Sequence, residues 1–298
     1  MIIDRLYEVV RRRGPVCVGL DPSPELLPPG LLRGRSLAHA FLAFNREIVD
    51  ATLDIVACYK LQIAHYEALG VEGLAAYRDT LRYIRARGAI AIGDVKRGDI
   101  ASTAQMYARA HFEGDFEADF LTLNPYLGFD SISPFLPYLK RGEKGLFILI
   151  RTSNPSAPEF QDLSCFSHHP SLITHHEKTR HPLYLRVAEA VAAWGEPFVG
   201  GCGYSLIGGV VGGTSREALV EIRKGFPSIF LLVPGYGAQG AGGRDVAAAF
   251  RDGNGAVVVA ARAIIGAHRG KPDADRRFSE YARAAALAMR EDICRWIR

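Results

Sequence analysis

Residues 89–99 read Ala-Ile-Ala-Ile-Gly-Asp-Val-Lys-Arg-Gly-Asp. The first four are a short apolar run of the kind that forms a buried strand. Side chains alternate along a strand, so Asp94 and Lys96, two apart, project from one face. Asp99 follows three residues later, in the turn that leaves the strand. Two carboxylates thus bracket one ammonium at the end of an apolar segment. Charges are seldom buried unpaired, so a satisfied ion-pair cluster is one reading of the stretch. A catalytic lysine held between acids is the other.

The same pattern of an apolar run, a polar exit and an amphipathic stretch recurs along the chain. Further runs fall at 16–20, 55–59, 120–123, 146–150, 207–211, 229–233 and 256–260, with helical patterns at 37–52, 74–87, 183–194 and 216–224. Thr214 and Ser215 are placed to cap the last of these. Strand–helix alternation predicts a parallel sheet, and eight repeats predict closure into a single-domain (β/α)8 TIM barrel over residues 1–298. A doubly wound open sheet is the alternative, but no GxGxxG follows the first strand.

At 298 residues, with 48% hydrophobic and 23% charged side chains, the chain can bury a large core without disulfide or metal staples. Its formal net charge of +4 is dispersed, which argues against nucleic acid and leaves room for a local anion pocket. The five cysteines are widely spaced with no CxxC and read as reduced thiols. Residues 1–14, MIIDRLYEVVRRRG, form an amphipathic helical pattern unlike a signal peptide, and no run approaches a membrane span. The expectation is a soluble cytoplasmic protein with no membrane or nucleic-acid partner. Residues 155–182 break the regular spacing and hold five of the nine histidines: His168, His169, His175, His176 and His181. Their spacing fits no zinc motif, so this His-rich insertion reads as a surface excursion or an oligomer contact.

In a barrel the active site lies at the C-terminal ends of the strands. Those ends carry Asp21, Lys60, Asp94 with Lys96, Asn124, then Arg151-Thr152-Ser153-Asn154-Pro155, the glycine-rich run 234–240, and Arg262. Asp21, Lys60, Asp94, Lys96 and Asp99 make an alternating charge array denser than stability requires. Glycine-rich backbone lets amides approach an anion, and barrels commonly hold phosphate after strands 7 and 8. Gln239 adds a neutral donor and Arg262 a fixed bidentate cation.

These residues resemble the orotidine 5′-phosphate decarboxylase family, in its longer bacterial form (type 2). Asp94-Val-Lys96-Arg97-Gly98-Asp99-Ile100 with Thr103 is similar to that family's DxKxxDI…T signature. Gly19-Leu20-Asp21, Lys60, Asn124-Pro125-Tyr126, 151–155 and 234–240 match further blocks in order. Leu61, Tyr236 and Ala261 depart from the family pattern, where proline, a smaller aliphatic and serine are usual. The resemblance implies conversion of orotidine 5′-phosphate to uridine 5′-phosphate and CO2, the last step of de novo UMP synthesis, with no cofactor and no metal. It implies that Lys96 donates the proton to C6, flanked by Asp94 and Asp99, with Lys60 in the same network. Asp21 and Thr103 then hold the ribose, Ser153 the pyrimidine edge, and Gln239 and Arg262 the phosphate, with Asn124 among the substrate-binding residues. It further implies a homodimer in which Asp99 and Thr103 reach the neighbouring subunit's site. Two rivals are a metal-using phosphosugar enzyme with a DxKxxD strand, which Lys60 disfavours by repelling the metal, and a non-catalytic phosphate binder, which would not need the charge array.

Overall fold

The computed structural model describes residues 1–166 and 180–297. The chain runs α1 (Ile2–Arg13), β1 (Val16–Gly19), α2 (Leu37–Thr52), β2 (Cys58–Gln62), α3 (Gly70–Ala86), β3 (Ile90–Arg97), α4 (Ala101–Phe112), β4 (Phe120–Leu123), β5 (Gly145–Arg151), β6 (Ser164–Phe166), β7 (Arg180–Pro182), α5 (Leu183–Gly195), β8 (Ile207–Val211), α6 (Arg216–Gly225), β9 (Leu231–Pro234), β10 (Ala256–Ala260) and α7 (Ala274–Cys294), with shorter helical turns between. Eight strands close into a barrel in the order β1-β10-β9-β8-β5-β4-β3-β2, every neighbouring pair parallel. The barrel is the expected single domain.

The strands are apolar because both their faces are covered, one by the barrel interior and one by the helices. Val16, Cys17, Val18, Leu146, Phe147 and Val257 are fully buried. The helices are amphipathic, and α2 is capped by Ser36, whose hydroxyl accepts the His39 N–H. Ser215 stands at the N-cap of α6 without a side-chain bond to the helix, which corrects the expected cap. At Gly73 in α3 an added Cβ would sit 2.0 Å from the Tyr66 carbonyl oxygen. Only glycine lets α3 pack this closely on the preceding turn, so the helix begins ahead of the predicted apolar stretch.

Two strands, β2 and β3, depart from the sequence reading by three residues or more at an end, and the others by no more than two. Ile55, Val56 and Ala57 are buried, but they cover the barrel floor in the turn after α2, and β2 runs instead through Lys60 to Gln62. An apolar run marks burial and not strand geometry. Likewise β3 continues past its apolar half, through Asp94 and Lys96, to Arg97. These polar residues belong to strands because the barrel mouth holds their heads. The insertion contributes an antiparallel hairpin, β6 with β7. His168, His169, His175 and His176 lie outside the described residues; the backbone carbonyl of His181 accepts from Cys165 Sγ.

Candidate active site

The C-terminal ends of the strands enclose a cleft of about 510 Å³, lined by Asp21, Lys60, Asp94, Lys96, Ser153 and Arg262 among others. That is the size of a small-molecule site. A larger hollow of 980 Å³ lies outside the barrel against α4. It holds none of the strand-end charges, so the chemistry belongs to the smaller cleft.

At the floor of the cleft sits an alternating chain of charges. The Lys60 ammonium lies 2.8 Å from Asp94 Oδ2 and 3.4 Å from Asp21 Oδ2. Lys96 Nζ lies 2.6 Å from Asp94 Oδ1. Asp21 is fixed by the backbone N–H of Gln62, which donates to its Oδ1 at 2.9 Å. Burial alone would raise the Asp94 pKa, but the charges of Lys60 and Lys96 and their hydrogen bonds hold it well below the usual carboxylate range. Burial alone would lower Lys60, yet Asp21 and Asp94 overcome that and raise it above an ordinary lysine. Both groups are therefore ionised at neutral pH. The Lys96 side chain, 43% exposed, presents its ammonium to the cleft.

The backbone beneath these groups is irregular. β3 and β4 are in register at Gly93–Leu121 and again at Arg97–Leu123, with a break between. Lys96 adopts a left-handed φ of 45° within that break, a conformation that costs a non-glycine residue about 1–2 kcal/mol. The strain is held by Thr122, buried on β4. Its hydroxyl accepts from the Lys96 N–H at 3.0 Å and donates to Asp94 Oδ1 at 2.8 Å. Nothing in the sequence singled out Thr122.

The opposite wall is made by the loops after β5, β9 and β10. Gly212 gives the Ser153 loop room, since a Cβ there would lie 2.9 Å from Ser153 Cα. That loop is braced by the start of the insertion. Arg151 makes a two-toothed ion pair with Asp162, and Gln161 bonds both the N–H and the hydroxyl of Thr152. Gly235, Tyr236, Ala238 and Gln239 line the cleft, and Gly235 has φ +107°. Tyr236 Oη donates to Asp292 Oδ2 near the end of α7 at 2.8 Å, and the Gly243 N–H reaches the same oxygen at 2.7 Å. Arg262, exposed at the start of its helical turn, makes no ion pair among the described residues and is available to an anion.

Of the predicted site residues, Asp21, Lys60, Asp94, Lys96, Ser153, Gln239 and Arg262 converge on this cleft. Asp99, Thr103 and Asn124 do not line it. The Asp99 carboxylate accepts the N–H of Ile100, and the Asn124 side chain accepts that of Tyr126. Thr103 is exposed on the first turn of α4. The expected bracket of two carboxylates around Lys96 is therefore not formed within one chain. Asp94 alone pairs with Lys96, and the ammonium set between two carboxylates is Lys60. Beyond Lys96 the strand rejoins β4 at Arg97–Leu123, and in the loop that follows the Asp99 carboxylate turns back on the Ile100 N–H.

A model of the orotidine 5′-phosphate decarboxylase / HUMPS family matches residues 14–276. Proteins named orotidine 5′-phosphate decarboxylase from Petrotoga mobilis and Clostridium kluyveri are 50% and 48% identical to the chain over 294 residues, covering 98% of it and 98% and 97% of the relatives. The solved structure of Leishmania donovani OMP decarboxylase superposes with a TM-score of 0.70 at 28% identity, covering 97% of this chain and 98% of that one. Matched over nearly its whole length in sequence and in fold, the chain belongs to the orotidine 5′-phosphate decarboxylase / HUMPS family.

Proposed function

We propose that the protein decarboxylates orotidine 5′-phosphate to uridine 5′-phosphate and CO2, the closing step of de novo pyrimidine synthesis. The observation that carries this reading is the Asp94 carboxylate held between Lys60 and Lys96, with the Lys96 ammonium left facing the cleft. When the bond from C6 to the carboxylate breaks, its electron pair stays on C6 in an orbital that the ring cannot delocalise. The protein must stabilise that charge electrostatically and then protonate it. An ammonium about 4 Å away, at an effective dielectric near 20, contributes about 4 kcal/mol. Fixed in advance by Asp94, it needs little reorganisation. Lys96 gives its proton to C6, and solvent restores it.

Lys60 and Asp21 hold the ribose, Ser153 meets the pyrimidine edge, and Gln239 and Arg262 take the phosphate. The phosphate is remote from the bond that breaks, so its binding energy serves positioning. No metal or organic cofactor has a task in this scheme. Both oxygens of Asp94 are already taken by ammonium groups, and a divalent ion beside them would be repelled.

The active form in this reading is a homodimer with shared sites, Asp99 and Thr103 of each subunit completing the other's cleft. Ile100, Met106, Tyr126, Leu127 and Phe129 are exposed apolar side chains in the two loops and the helix that carry Asp99, Thr103 and Asn124, which suits a buried interface. Within one chain Asp21, Lys60, Asp94 and Lys96 are charge-balanced, and Asp99 of the partner subunit would tip the array negative. Among the described residues no helix is long and apolar enough to cross a membrane, and all five cysteines are free thiols. We place the enzyme in the cytoplasm. Following the loss of orotate absorbance on adding orotidine 5′-phosphate tests the reaction directly. No decay with folded protein at micromolar concentration would refute it.

A further inference from the structure

We propose that Thr122 is a positioning residue for the reacting lysine, its hydroxyl fixing both the backbone of Lys96 and the carboxylate that pairs with the Lys96 ammonium. This rests on the reading of Lys96 as proton donor given above. Between the register pairs Gly93–Leu121 and Arg97–Leu123, β3 carries Asp94, Val95 and Lys96 where β4 carries Thr122 alone. The excess length bulges out of the ladder, and the Lys96 N–H loses the carbonyl that a regular strand would offer. Thr122 Oγ1 replaces that carbonyl at 3.0 Å.

The direction of each bond follows from proton counting. A backbone N–H can only donate, so the threonine oxygen accepts there and its single proton is left for Asp94 Oδ1, at 2.8 Å. An ionised carboxylate can only accept. That same Oδ1 receives Lys96 Nζ at 2.6 Å. One hydroxyl therefore closes a ring that begins at the Lys96 backbone, passes through Thr122 and Asp94, and ends on the ammonium of the same lysine. The ring ties the left-handed turn at Lys96 to the point in space where its proton is delivered. The β-branched side chain has a stiff χ1 on a strand, and Thr122 is 1% exposed, so water does not stand in for the hydroxyl.

The test compares Thr122→Val, which keeps the shape and removes the hydroxyl, with Thr122→Ser, which keeps the hydroxyl. Thr122→Val should lower kcat about 10- to 100-fold with KM within about twofold, because the interaction lost acts on the proton donor and not on substrate binding. Thr122→Ser should keep more than about a third of the wild-type kcat, since its hydroxyl can make both bonds. A wild-type kcat in Thr122→Val overturns the inference. So does an equal fall in both variants, which would make Thr122 a packing residue, or a rise in KM that accounts for the whole effect, which would make it a substrate ligand. Should Thr122→Val fail to fold by circular dichroism, Thr122→Cys takes its place, the thiol being a weak donor of similar size. Wild-type protein that does not decarboxylate orotidine 5′-phosphate overturns the functional reading and this inference together. Active wild type beside an equally active Thr122→Val removes the inference alone.

Discussion

Replacing Lys96 and Lys60 in turn should separate the chemistry from the fold. Both ammonium groups touch Asp94, but their surroundings differ. Lys96 is 43% exposed, and Asp94 without it would keep Lys60 and the Thr122 hydroxyl, each at 2.8 Å. Lys96→Ala should therefore melt close to wild type. Its effect on rate should be large. An ammonium about 4 Å from the developing charge supplies about 4 kcal/mol, about a thousandfold in rate, and loss of the proton donor adds about 100-fold or more. Lys60 is 6% exposed between Asp21 and Asp94. Its removal leaves buried Asp94 and half-buried Asp21 sharing one fewer cation and should destabilise the fold by about 3–5 kcal/mol. Decarboxylation followed by absorbance, together with urea unfolding of each variant, measures both quantities. A Lys96→Ala enzyme keeping more than about a tenth of the wild-type rate would show that Lys96 is not the proton donor. Equal unfolding midpoints for the two variants would refute the assignment of Lys60 as the structural cation.

Exhaustive chelation should leave turnover unchanged, and a loss restored by Mg²⁺ or Zn²⁺ would favour a metal-using phosphosugar chemistry instead. Arg262→Ala should weaken orotidine 5′-phosphate by about 2 kcal/mol or more, as loss of a charge-assisted bond to phosphate does, while hardly changing the affinity for orotidine. Equal losses for the two ligands, measured by calorimetry, would return Arg262 to the fold. Homodimers of Lys96→Ala and of Asp99→Ala should each be nearly inactive, yet mixing them under subunit exchange should restore activity, because one site of the mixed dimer collects both defects and the other none. Exchange confirmed by mass spectrometry with no recovery would place Asp99 in its own subunit's site.

The barrel was legible because its signal is repeated: strands at 120–123, 207–211 and 256–260 coincide with apolar runs flanked by turn residues. β2 was displaced because the residues at 55–57 are apolar for a different reason, closing the barrel floor. The charged strand ends were legible too, since Asp21, Lys60, Asp94 and Lys96 announce themselves by charge. What stayed hidden depends on register and long-range contact. Thr122 reads as an ordinary β-branched residue in Phe-Leu-Thr-Leu, and only the break between β3 and β4 gives its hydroxyl two partners. Gln161 and Asp162 lie in an insertion with no pattern of its own, yet they brace the loop after β5. That the Asp99 carboxylate turns back on the Ile100 N–H and leaves the cleft to Asp94 is set by the loop backbone, and composition carries no trace of that.

Tyr236 was notable in the sequence only as a departure, a large ring where a small side chain is usual. Its bond to Asp292 makes the far end of the chain a part of the cleft wall. The loop after β9 is moored at Tyr236 and again at Gly243, and both moorings meet on one carboxylate oxygen. A chain cut before residue 292 would retain every residue that lines the cleft while its loop lost both bonds to Asp292. Deletions that remove Asp292 are therefore perturbations of the cleft wall, and the tail of α7 belongs on any map of what shapes it.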